Sequence, residues 1–215
     1  MADLVLLGAG GHARSVLAAL AMSGRSAYGY LAPEPSERLS GLAHLGGDEF
    51  LDVLDPREVD VVNAMGSVSS TAARRRLHVA ATSRGFTVAT IVHPRAFVDP
   101  SVSLPAGVQV MAGAVINACA QIGTGALINS GAIVEHDTVI GEHVHVAPGA
   151  VLAGDVVIEA SAHIGMGSMV LQGLTVGSGS VVGAGAVVTH SVPADATVVG
   201  VPARRFQELR AREHD

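Results

Sequence analysis

An aliphatic residue recurs at every sixth position through the second half of the chain, and this repeat limits the possible folds more than any other feature of the sequence. From Val92 to Val188, each step of six residues lands on valine, isoleucine or leucine without a break. A small or β-branched residue occupies the fifth place of nearly every hexad, and glycine often occupies the second or fourth place. A short and unbroken period of this kind predicts a solenoid whose repeats pack on one another.

This repeat resembles that of the hexapeptide-repeat proteins, and the resemblance implies a left-handed parallel β-helix of triangular cross-section. In that family three hexads make one coil, so residues 18 apart stack and the aliphatic first position of each hexad points inward. We therefore assign residues 92–199 to a β-helix. Residues 200–215 form a C-terminal tail, which is expected to pack as a short helix over the end of the solenoid.

The first half of the chain, residues 1–91, alternates between short apolar runs and helical patterns. The runs "LVLLGAGG", "AYGYLA", "VDVVNAMG" and "TVATIV" predict strands, and "HARSVLAALAMSG", "DEFLDVLD" and "TAARRRLHVAATSRG" predict helices. Strand–helix–strand order implies a parallel sheet with crossover helices. The predicted fold is thus an α/β N-terminal Rossmann-like domain followed by a left-handed parallel β-helix of hexapeptide repeats.

Composition excludes several classes of function. The net charge of −6 argues against a nucleic-acid partner, and all 13 basic residues are arginine, so no lysine chemistry is available. The single cysteine, Cys119, excludes an intrachain disulfide framework and a multi-cysteine metal site. The start of the sequence lacks the basic segment typical of a secretory signal. The sequence also contains no uninterrupted run of 18 apolar residues, so no membrane partner is expected. We therefore expect a cytoplasmic protein.

Three histidines lie close together within the repeats, where a core-building sequence has little use for imidazoles. His136, His143 and His145 occupy neither the inward first place nor the small fifth place of their hexads. All three are therefore predicted to project outward.

The order of motifs along the chain resembles the sugar-nucleotide acetyltransferases, a family that includes the bacillosamine-pathway N-acetyltransferases and their sialic-acid O-acetyltransferase relatives. The stretches that carry the resemblance are "LLGAGGHARSVL", "INSGAIVEHDTVIGEHVHVAPGAVLAGDVVI" and "GVPAR". The resemblance implies an acetyl-CoA-dependent N-acetyltransferase that acts on a UDP- or dTDP-linked amino sugar. It also implies a homotrimer in which the coenzyme lies between the β-helices of adjacent subunits.

The same resemblance assigns roles to residues of the β-helix. It implies that His136 is the general base, that Glu135 holds its imidazole, and that Asn129 belongs to the same catalytic set. It places four residues beside acetyl-CoA: His145, Gly154, Met166 and Ala184. A histidine suits the base role because it titrates near neutrality, and a carboxylate on its second nitrogen fixes the tautomer.

The 18-residue spacing gives a reason for a role of Gly154 that does not depend on the family resemblance. Gly154 lies 18 residues after His136, where the missing side chain leaves room and an exposed N–H for a thioester oxygen. The competing interpretation is an ordinary turn glycine.

The segment "GAGGHA", from Gly8 to Ala13, follows a predicted strand and opens a predicted helix. Backbone N–H groups at such a helix start favour an anion, although the motif alone is weak evidence. By resemblance, this loop holds the diphosphate of a nucleotide sugar. The expected substrate-binding residues are Gly10, Gly11, His12 and, from a later loop, Gly66.

The end of the second predicted strand departs from the family pattern. Members usually carry one or two aspartates there that contact the uridine, whereas this chain has Leu31, Ala32 and Pro33, followed by Glu34. The departure leaves the identity of the nucleotide open.

Further along the chain, Arg74, Arg75 and Arg76 form a run of positive charge. This run is predicted to be a solvated helix face rather than a phosphate clamp.

Other functions remain open at this stage. They are a sugar O-acetyltransferase of the sialic-acid type and a non-catalytic trimer that binds a nucleotide sugar. His145 and His163 lie 18 apart and suggest zinc, as in β-helical carbonic anhydrases, but residues 107–109 supply no third histidine and no metal is expected. Cys119 has no matched base and is not expected to be a nucleophile.

Overall fold

The structure is a computed structural model that describes residues 3–206. The first domain contains a four-stranded parallel sheet in the order β3-β2-β1-β4 and two α-helices. Its elements are β1 (Asp3–Leu7), α1 (Gly11–Met22), β2 (Ala27–Leu31), β3 (Ala43–Gly46), β4 (Val59–Asn63) and α2 (Ala72–Thr82), with short 3-10 helices at Glu37–Leu39 and Asp48–Asp52.

The first domain follows the predicted strand–helix order with two differences. The run "TVATIV" contributes to the first-domain sheet through a single bridge, Val61 with Val88, and its last two residues form β5 of the β-helix instead. Strand β3 was not predicted, because the segment "AHLG" is short and lacks a clear apolar alternation.

The second half of the described chain is a parallel β-helix whose strands fall into three sheets. Its strands are β5 (Ile91–Val92), β6 (Phe97–Val98), β7 (Gln109–Val110), β8 (Val115–Ile116), β9 (Gln121–Ile122), β10 (Leu127–Ile128), β11 (Ile133–Val134), β12 (Val139–Ile140), β13 (His145–Val146), β14 (Val151–Leu152), β15 (Val157–Ile158), β16 (His163–Ile164), β17 (Met169–Val170), β18 (Thr175–Val176), β19 (Val181–Val182), β20 (Val187–Val188), β21 (Thr197–Val199) and β22 (Arg204–Arg205).

We name the three sheets by their order along each coil. The first sheet has the order β22-β21-β19-β16-β13-β10-β7-β5, the second β20-β17-β14-β11-β8-β6, and the third β18-β15-β12-β9. Paired residues are 18 apart along the coils, as for Ile128 with Val146. The spacing shortens by two residues at the last turn, where Val182 pairs with Val198. The six-residue period ends at the same place in the sequence.

The aliphatic first positions form the core of the β-helix. Val110, Ile128, Val146 and Ile164 stack along the first sheet and are fully buried. Each such side chain contributes roughly 1.5–3 kcal/mol through its removal from water. Val92 is 38% exposed, because β5 is the last strand of its sheet, and Val98 and Leu104 of the same first coil are partly buried.

The corners of the coil use the fourth place of the hexad, which adopts a positive φ. Glycine fills many of these places because it has no Cβ to clash. Non-glycine residues also occur there, including Asp137 at φ 60° and His143 at φ 55°. The conformation turns the chain sharply at each corner and directs these two side chains away from the core.

The start of the C-terminal tail differs from its predicted helical conformation. Residues Arg204–Arg205 form β22, which pairs antiparallel with β21 and closes the end of the first sheet. The remainder of the expected helix, residues 207–215, lies outside the described residues.

The first domain packs against the outer face of the first sheet. Ile91, Met111 and Leu127 of the β-helix belong to the same apolar cluster as Ala13 and Val62 of the first domain. The outward strand residues of the second and third sheets remain exposed or half-buried. This docking determines which outward side chains of the β-helix are covered.

The covering domain determines how exposed the three outward histidines are. His136 is exposed, as predicted, but His143 and His145 are only 6% and 3% exposed. Both side chains leave the coil, yet His143 packs against His78 of α2, with ring centroids 4.9 Å apart, and His145 lies beneath the loop after β4. Their burial follows from domain docking and not from the hexad pattern.

Candidate active site

A cleft of about 990 Å³ opens between the first domain and one corner of the β-helix. It brings together seven of the residues predicted to form a site. These are Gly11, His12 and Gly66 from the first domain and Asn129, His145, Met166 and Ala184 from the β-helix. The cleft therefore joins the expected nucleotide-sugar loops to the expected coenzyme-binding positions.

Four predicted residues do not line this cleft. Gly10 is the residue before α1, at the edge of the cleft. Glu135, His136 and Gly154 lie at the corner between the second and third sheets, whereas Asn129 lies at the corner between the first and second sheets. Within one chain, the second sheet thus separates the proposed base from the cleft.

The N-terminus of α1 gives the cleft an anion-binding end. Gly10 precedes the helix, and its first turn contains no acidic residue. Gly8 has φ 102°, and a Cβ there would lie 3.3 Å from the Met65 nitrogen, so glycine is required for the close approach of the two loops. Free N–H groups and the helix dipole favour a phosphate at this position.

His12 is held neutral beside that helix start. Its Nε2 lies 2.8 Å from Gln109 Oε1, and Gln109 Nε2 donates to the Asn63 carbonyl at 2.7 Å. Because the glutamine oxygen can only accept, His12 carries its proton on Nε2. Burial lowers the pKa of His12 to about 4, with a smaller contribution from the nearby Arg74 charge. His12 can therefore position a ligand but does not supply a positive charge.

Arg74 corrects the prediction of a solvated arginine face. Its side chain is 1% exposed, whereas Arg75 and Arg76 are exposed as predicted. Arg74 Nη1 donates to the carbonyls of Asn63 and Met65, at 3.1 and 2.9 Å. No carboxylate pairs with it within residues 3–206, and its Nε and Nη2 have no partner there.

The buried guanidinium places a positive charge close to the cleft, where it acts on His12 and His145. Burial lowers the pKa of Arg74 to about 10, so the group stays charged at neutral pH. Its position follows from α2, which presents one arginine of the run to the loop after β4 and the other two to solvent. Sequence reasoning missed it because nothing in a run of three arginines indicates which one faces inward.

His145 makes hydrogen bonds through both ring nitrogens. Ser67 Oγ lies 2.6 Å from Nδ1, and Asn129 Nδ2 lies 3.0 Å from Nε2. Burial lowers the pKa of His145 to about 3, and the neighbouring His163 and Arg74 act in the same direction. Asn129, which the resemblance places in the catalytic set, thus contacts His145. Ser67 was not predicted.

His136 lies at the exposed corner, where its carboxylate partner differs from the predicted one. Its Nδ1 is 2.8 Å from Asp137 Oδ2, while Glu135 Oε2 accepts a hydrogen bond from Asn117 at 2.8 Å. Asp137 has a positive φ at the corner, and its carboxylate meets the ring, whereas the Glu135 carboxylate meets Asn117 of the preceding coil, 18 residues earlier. The hydrogen bond that His136 Nδ1 donates to the Asp137 carboxylate raises the pKa of His136.

Gly154 lies directly above His136, as the 18-residue stacking predicted. A Cβ at this position would be 2.6 Å from His136 Cε1 and 2.7 Å from Nε2. The Gly154 N–H has no hydrogen-bond partner within the described part of the chain. The glycine therefore makes space for the imidazole and leaves a free donor beside it.

Gly154→Ala is expected to lower kcat/KM about 100-fold, because the added methyl group displaces the His136 ring from its stacked position. The melting temperature should change little, since Gly154 does not have a positive φ. Gly41→Ala is the matched control, because a Cβ there meets no atom within 4 Å. Thiol release from acetyl-CoA and thermal melts measure the two effects. Full activity of Gly154→Ala would contradict the role given to this space.

Neither a metal cluster nor a membrane-spanning helix is present in the part of the chain that the structure describes. Residues 3–206 contain no group of three or more histidine, cysteine, aspartate or glutamate side chains suited to a metal ion. The rings of His145 and His163 lie 4.9 Å apart, in neighbouring coils as expected. Within residues 3–206, no third side chain joins them as a metal ligand. None of the helices in this range has the length and hydropathy needed to cross a membrane.

Comparisons with known families match both halves of the chain. Residues 3–79 match the PglD N-terminal domain. Residues 119–154 and 155–190 match the bacterial transferase hexapeptide model of six repeats. No curated protein sequence matches the chain.

Several solved structures resemble the whole chain. The acetyltransferase domain of PglB from Neisseria gonorrhoeae is 34% identical with a TM-score of 0.89, covering 95% of this chain and 99% of that one. PerB from Caulobacter crescentus, solved with CoA and GDP-perosamine, is 35% identical with a TM-score of 0.89, covering 95% and 97%. WeeI from Acinetobacter baumannii is 28% identical with a TM-score of 0.85, covering 96% and 100%.

The fold and the cleft are those of a β-helical transferase whose first domain is of the Rossmann-like type. Identity above 30% over nearly the full length of both chains shows the family. The protein belongs to the hexapeptide-repeat acetyltransferases with a PglD-type N-terminal domain, and it is an acyltransferase. The predicted fold class and family resemblance are thereby confirmed.

Proposed function

We propose that this protein is an acetyl-CoA-dependent N-acetyltransferase that acts on a nucleotide-linked amino sugar. The observation that carries the proposal is the cleft, which joins the α1 N-terminus to the β-helix corner that bears Met166 and Ala184. Two relatives support the choice of ligands. The PglB acetyltransferase domain has been solved with acetyl coenzyme A, and PerB with CoA and GDP-perosamine.

The chemistry is a direct transfer that needs no covalent enzyme intermediate. The sugar amine attacks the thioester carbon, a C–N bond forms, the C–S bond breaks, and CoA leaves as its thiol. His136 accepts the proton that the amine loses and returns it to the departing sulfur, and Asp137 fixes the ring and stabilises its protonated form in between. The free N–H of Gly154 donates to the oxyanion that develops on the thioester oxygen.

The nucleotide is not restricted to the UDP or dTDP of the sequence prediction. Strand β2 ends at Leu31, Ala32 is buried, and Pro33 and Glu34 are exposed, so no aspartate faces the base from this strand end. PerB binds GDP-perosamine at 35% identity to this chain. A guanosine nucleotide therefore joins the candidates.

The outer face of the second sheet supports a homotrimer. In every strand of this sheet the residue before the inward position is apolar, giving a continuous apolar stripe, which consists of Phe97, Val115, Ile133, Val151, Met169 and Val187. Phe97 and Met169 are 51% and 50% exposed. The first sheet has its corresponding face covered by the first domain, so the apolar stripe is the large apolar surface left for a second copy.

A threefold axis in front of the apolar stripe completes the site. The stripe is bordered on one side by the corner with Asn129 and Met166, and on the other by the corner with His136 and Gly154. Around such an axis, the His136 corner of one copy meets the cleft of the next. This arrangement unites the base with both substrates, which a single chain keeps apart.

Thiol release from acetyl-CoA with a panel of UDP-, dTDP- and GDP-linked amino sugars tests the proposed function. Turnover with an amine acceptor is the expected result, and the best substrate identifies the nucleotide. Matched sugars that carry a hydroxyl group in place of the amine serve as the control. Turnover restricted to the hydroxyl acceptors would overturn N-acetylation, and binding without turnover of any acceptor would overturn the enzymatic assignment.

A further inference from the structure

Four residues at the domain boundary, Ser130, Asn129, His145 and Ser67, form a hydrogen-bonded chain with a defined direction. The chain begins at the Ser130 backbone N–H, which donates to Asn129 Oδ1 at 2.8 Å. Because a backbone N–H can only donate, the atom it meets is the amide oxygen, and Asn129 Nδ2 must face His145. The amide orientation is therefore fixed by the backbone of the β-helix.

The orientation of Asn129 fixes the tautomer of His145. Asn129 Nδ2 donates to His145 Nε2 at 3.0 Å, so Nε2 is unprotonated. A neutral imidazole then carries its proton on Nδ1, which lies 2.6 Å from Ser67 Oγ and donates to it. Burial at 3% exposure keeps the ring neutral.

The chain ends at Ser67 with a hydroxyl proton that no protein group accepts within residues 3–206. Ser67 Oγ accepts the bond from His145, and Ser67 lines the cleft next to Gly66 and His12. Successive donors that run in one direction polarise one another and strengthen the last donor. Ser67 therefore presents a strong neutral donor to the cleft.

Serine, histidine and asparagine are also the residue types that can activate a serine nucleophile, but here the hydrogen bonds run in the opposite direction. In a relay the imidazole accepts the serine proton, whereas here Nδ1 already holds a proton and Nε2 is occupied by an amide donor. Ser67 is consequently a binding group and not a nucleophile.

We propose that the Ser67 hydroxyl donates a hydrogen bond to an oxygen of the diphosphate–sugar part of the substrate, with Asn129 acting through His145 to set its direction. The ligand in this inference rests on the proposed function. Its location follows from the neighbours of Ser67 in the cleft, which are the α1 N-terminus at Gly11 and the neutral His12. Both favour an oxygen-rich anion at this end.

Binding measurements test the ligand contact. We expect Ser67→Ala to weaken the binding of the nucleotide-linked amino sugar about 10- to 100-fold by calorimetry and to leave acetyl-CoA binding unchanged. Ser67→Thr keeps the hydroxyl and should restore binding. Ser23→Ala is the matched control, because its hydroxyl bonds a carbonyl at the end of α1. An equal loss for the free nucleoside diphosphate assigns the contact to the diphosphate, and a loss confined to the sugar conjugate assigns it to the sugar. Unchanged binding in Ser67→Ala overturns the contact.

The direction of the hydrogen-bonded chain can be tested without a ligand, because it determines which ring nitrogen of His145 carries the proton. Nitrogen-15 NMR of the wild type should show His145 with a proton on Nδ1 and none on Nε2 from pH 8 to pH 5. Asn129→Asp places an acceptor against Nε2 and should move the proton there, so Ser67 then donates to His145 and substrate binding weakens as in Ser67→Ala. The double variant should lose no more than either single variant.

The two readouts separate this inference from the proposed function. An Nε2–H tautomer in the wild type, or protonation of His145 near neutral pH, overturns the directed chain whatever the enzyme turns over. A wild type with the expected tautomer but no turnover of any amino sugar contradicts the proposed function and leaves the directed chain standing.

Discussion

Replacing His136 by alanine is expected to lower kcat/KM for the amino sugar about 1000-fold, with little change in the melting temperature. The magnitude is that of a lost general base. The fold should tolerate the change because the side chain is exposed at a corner and makes its side-chain hydrogen bond to the neighbouring Asp137. Thiol release under subsaturating sugar measures the effect, and thermal melts verify the fold.

The same assignment fixes the sign of the pH dependence. Asp137 raises the pKa of His136 above its ordinary value of 6.5, and a general base acts in its unprotonated form. Activity should therefore fall as the pH drops through a value above 6.5. Asp137→Asn removes the carboxylate and should move this acid limb to lower pH. Glu135→Gln is the comparison variant and should move the limb less, because Glu135 bonds Asn117 and acts on the imidazole through its charge alone. Wild-type turnover by His136→Ala would disprove the base assignment.

Replacing Ile133 by aspartate is expected to convert a trimer into folded monomers and to reduce turnover more than 100-fold. Ile133 lies in the middle of the apolar stripe, between Val115 and Val151. A threefold axis would bring three aspartates together in an apolar contact, and burying an unpaired charge is strongly unfavourable. Turnover should fall because the His136 corner then no longer meets the cleft of another copy.

Light scattering after size-exclusion chromatography, combined with thiol release, measures both consequences. Val157→Asp is the matched control, since Val157 occupies the equivalent outward place on the third sheet and is also half-buried. It should leave the oligomer and the turnover intact. A fully active Ile133→Asp monomer would show that one chain holds a complete site, and the threefold arrangement would be wrong.

The sequence by itself determined the architecture. The unbroken run of aliphatic first positions predicted a solenoid, and the same positions, such as Ile128 and Val146, are fully buried in the structure. Stacking by 18 residues correctly placed Gly154 over His136. These features depend on a short local period and on the geometry of one coil, which the chain repeats regardless of what packs outside it.

Tertiary structure decided which outward side chains reach solvent and which groups they meet. The hexad pattern assigned His136 and His145 to the same outward class, yet docking of the first domain buries one and leaves the other exposed. His145 and Gln109 each bond a residue of the first domain, Ser67 and Asn63, which lie 78 and 46 positions away. No local period encodes such pairs.

The same reason explains the remaining differences at the site. Arg74 is buried and Arg75 exposed because α2 turns one side toward the end of β4 and the loop after it, which a run of three arginines cannot indicate. Asp137 and not Glu135 bonds His136, because the Glu135 carboxylate meets Asn117 of the preceding coil. The sequence determined the coil and its ladders, since they arise from contacts at a fixed spacing. The chemistry of the cleft was decided by the docking of two domains, since its contacts join parts of the chain that no repeat relates.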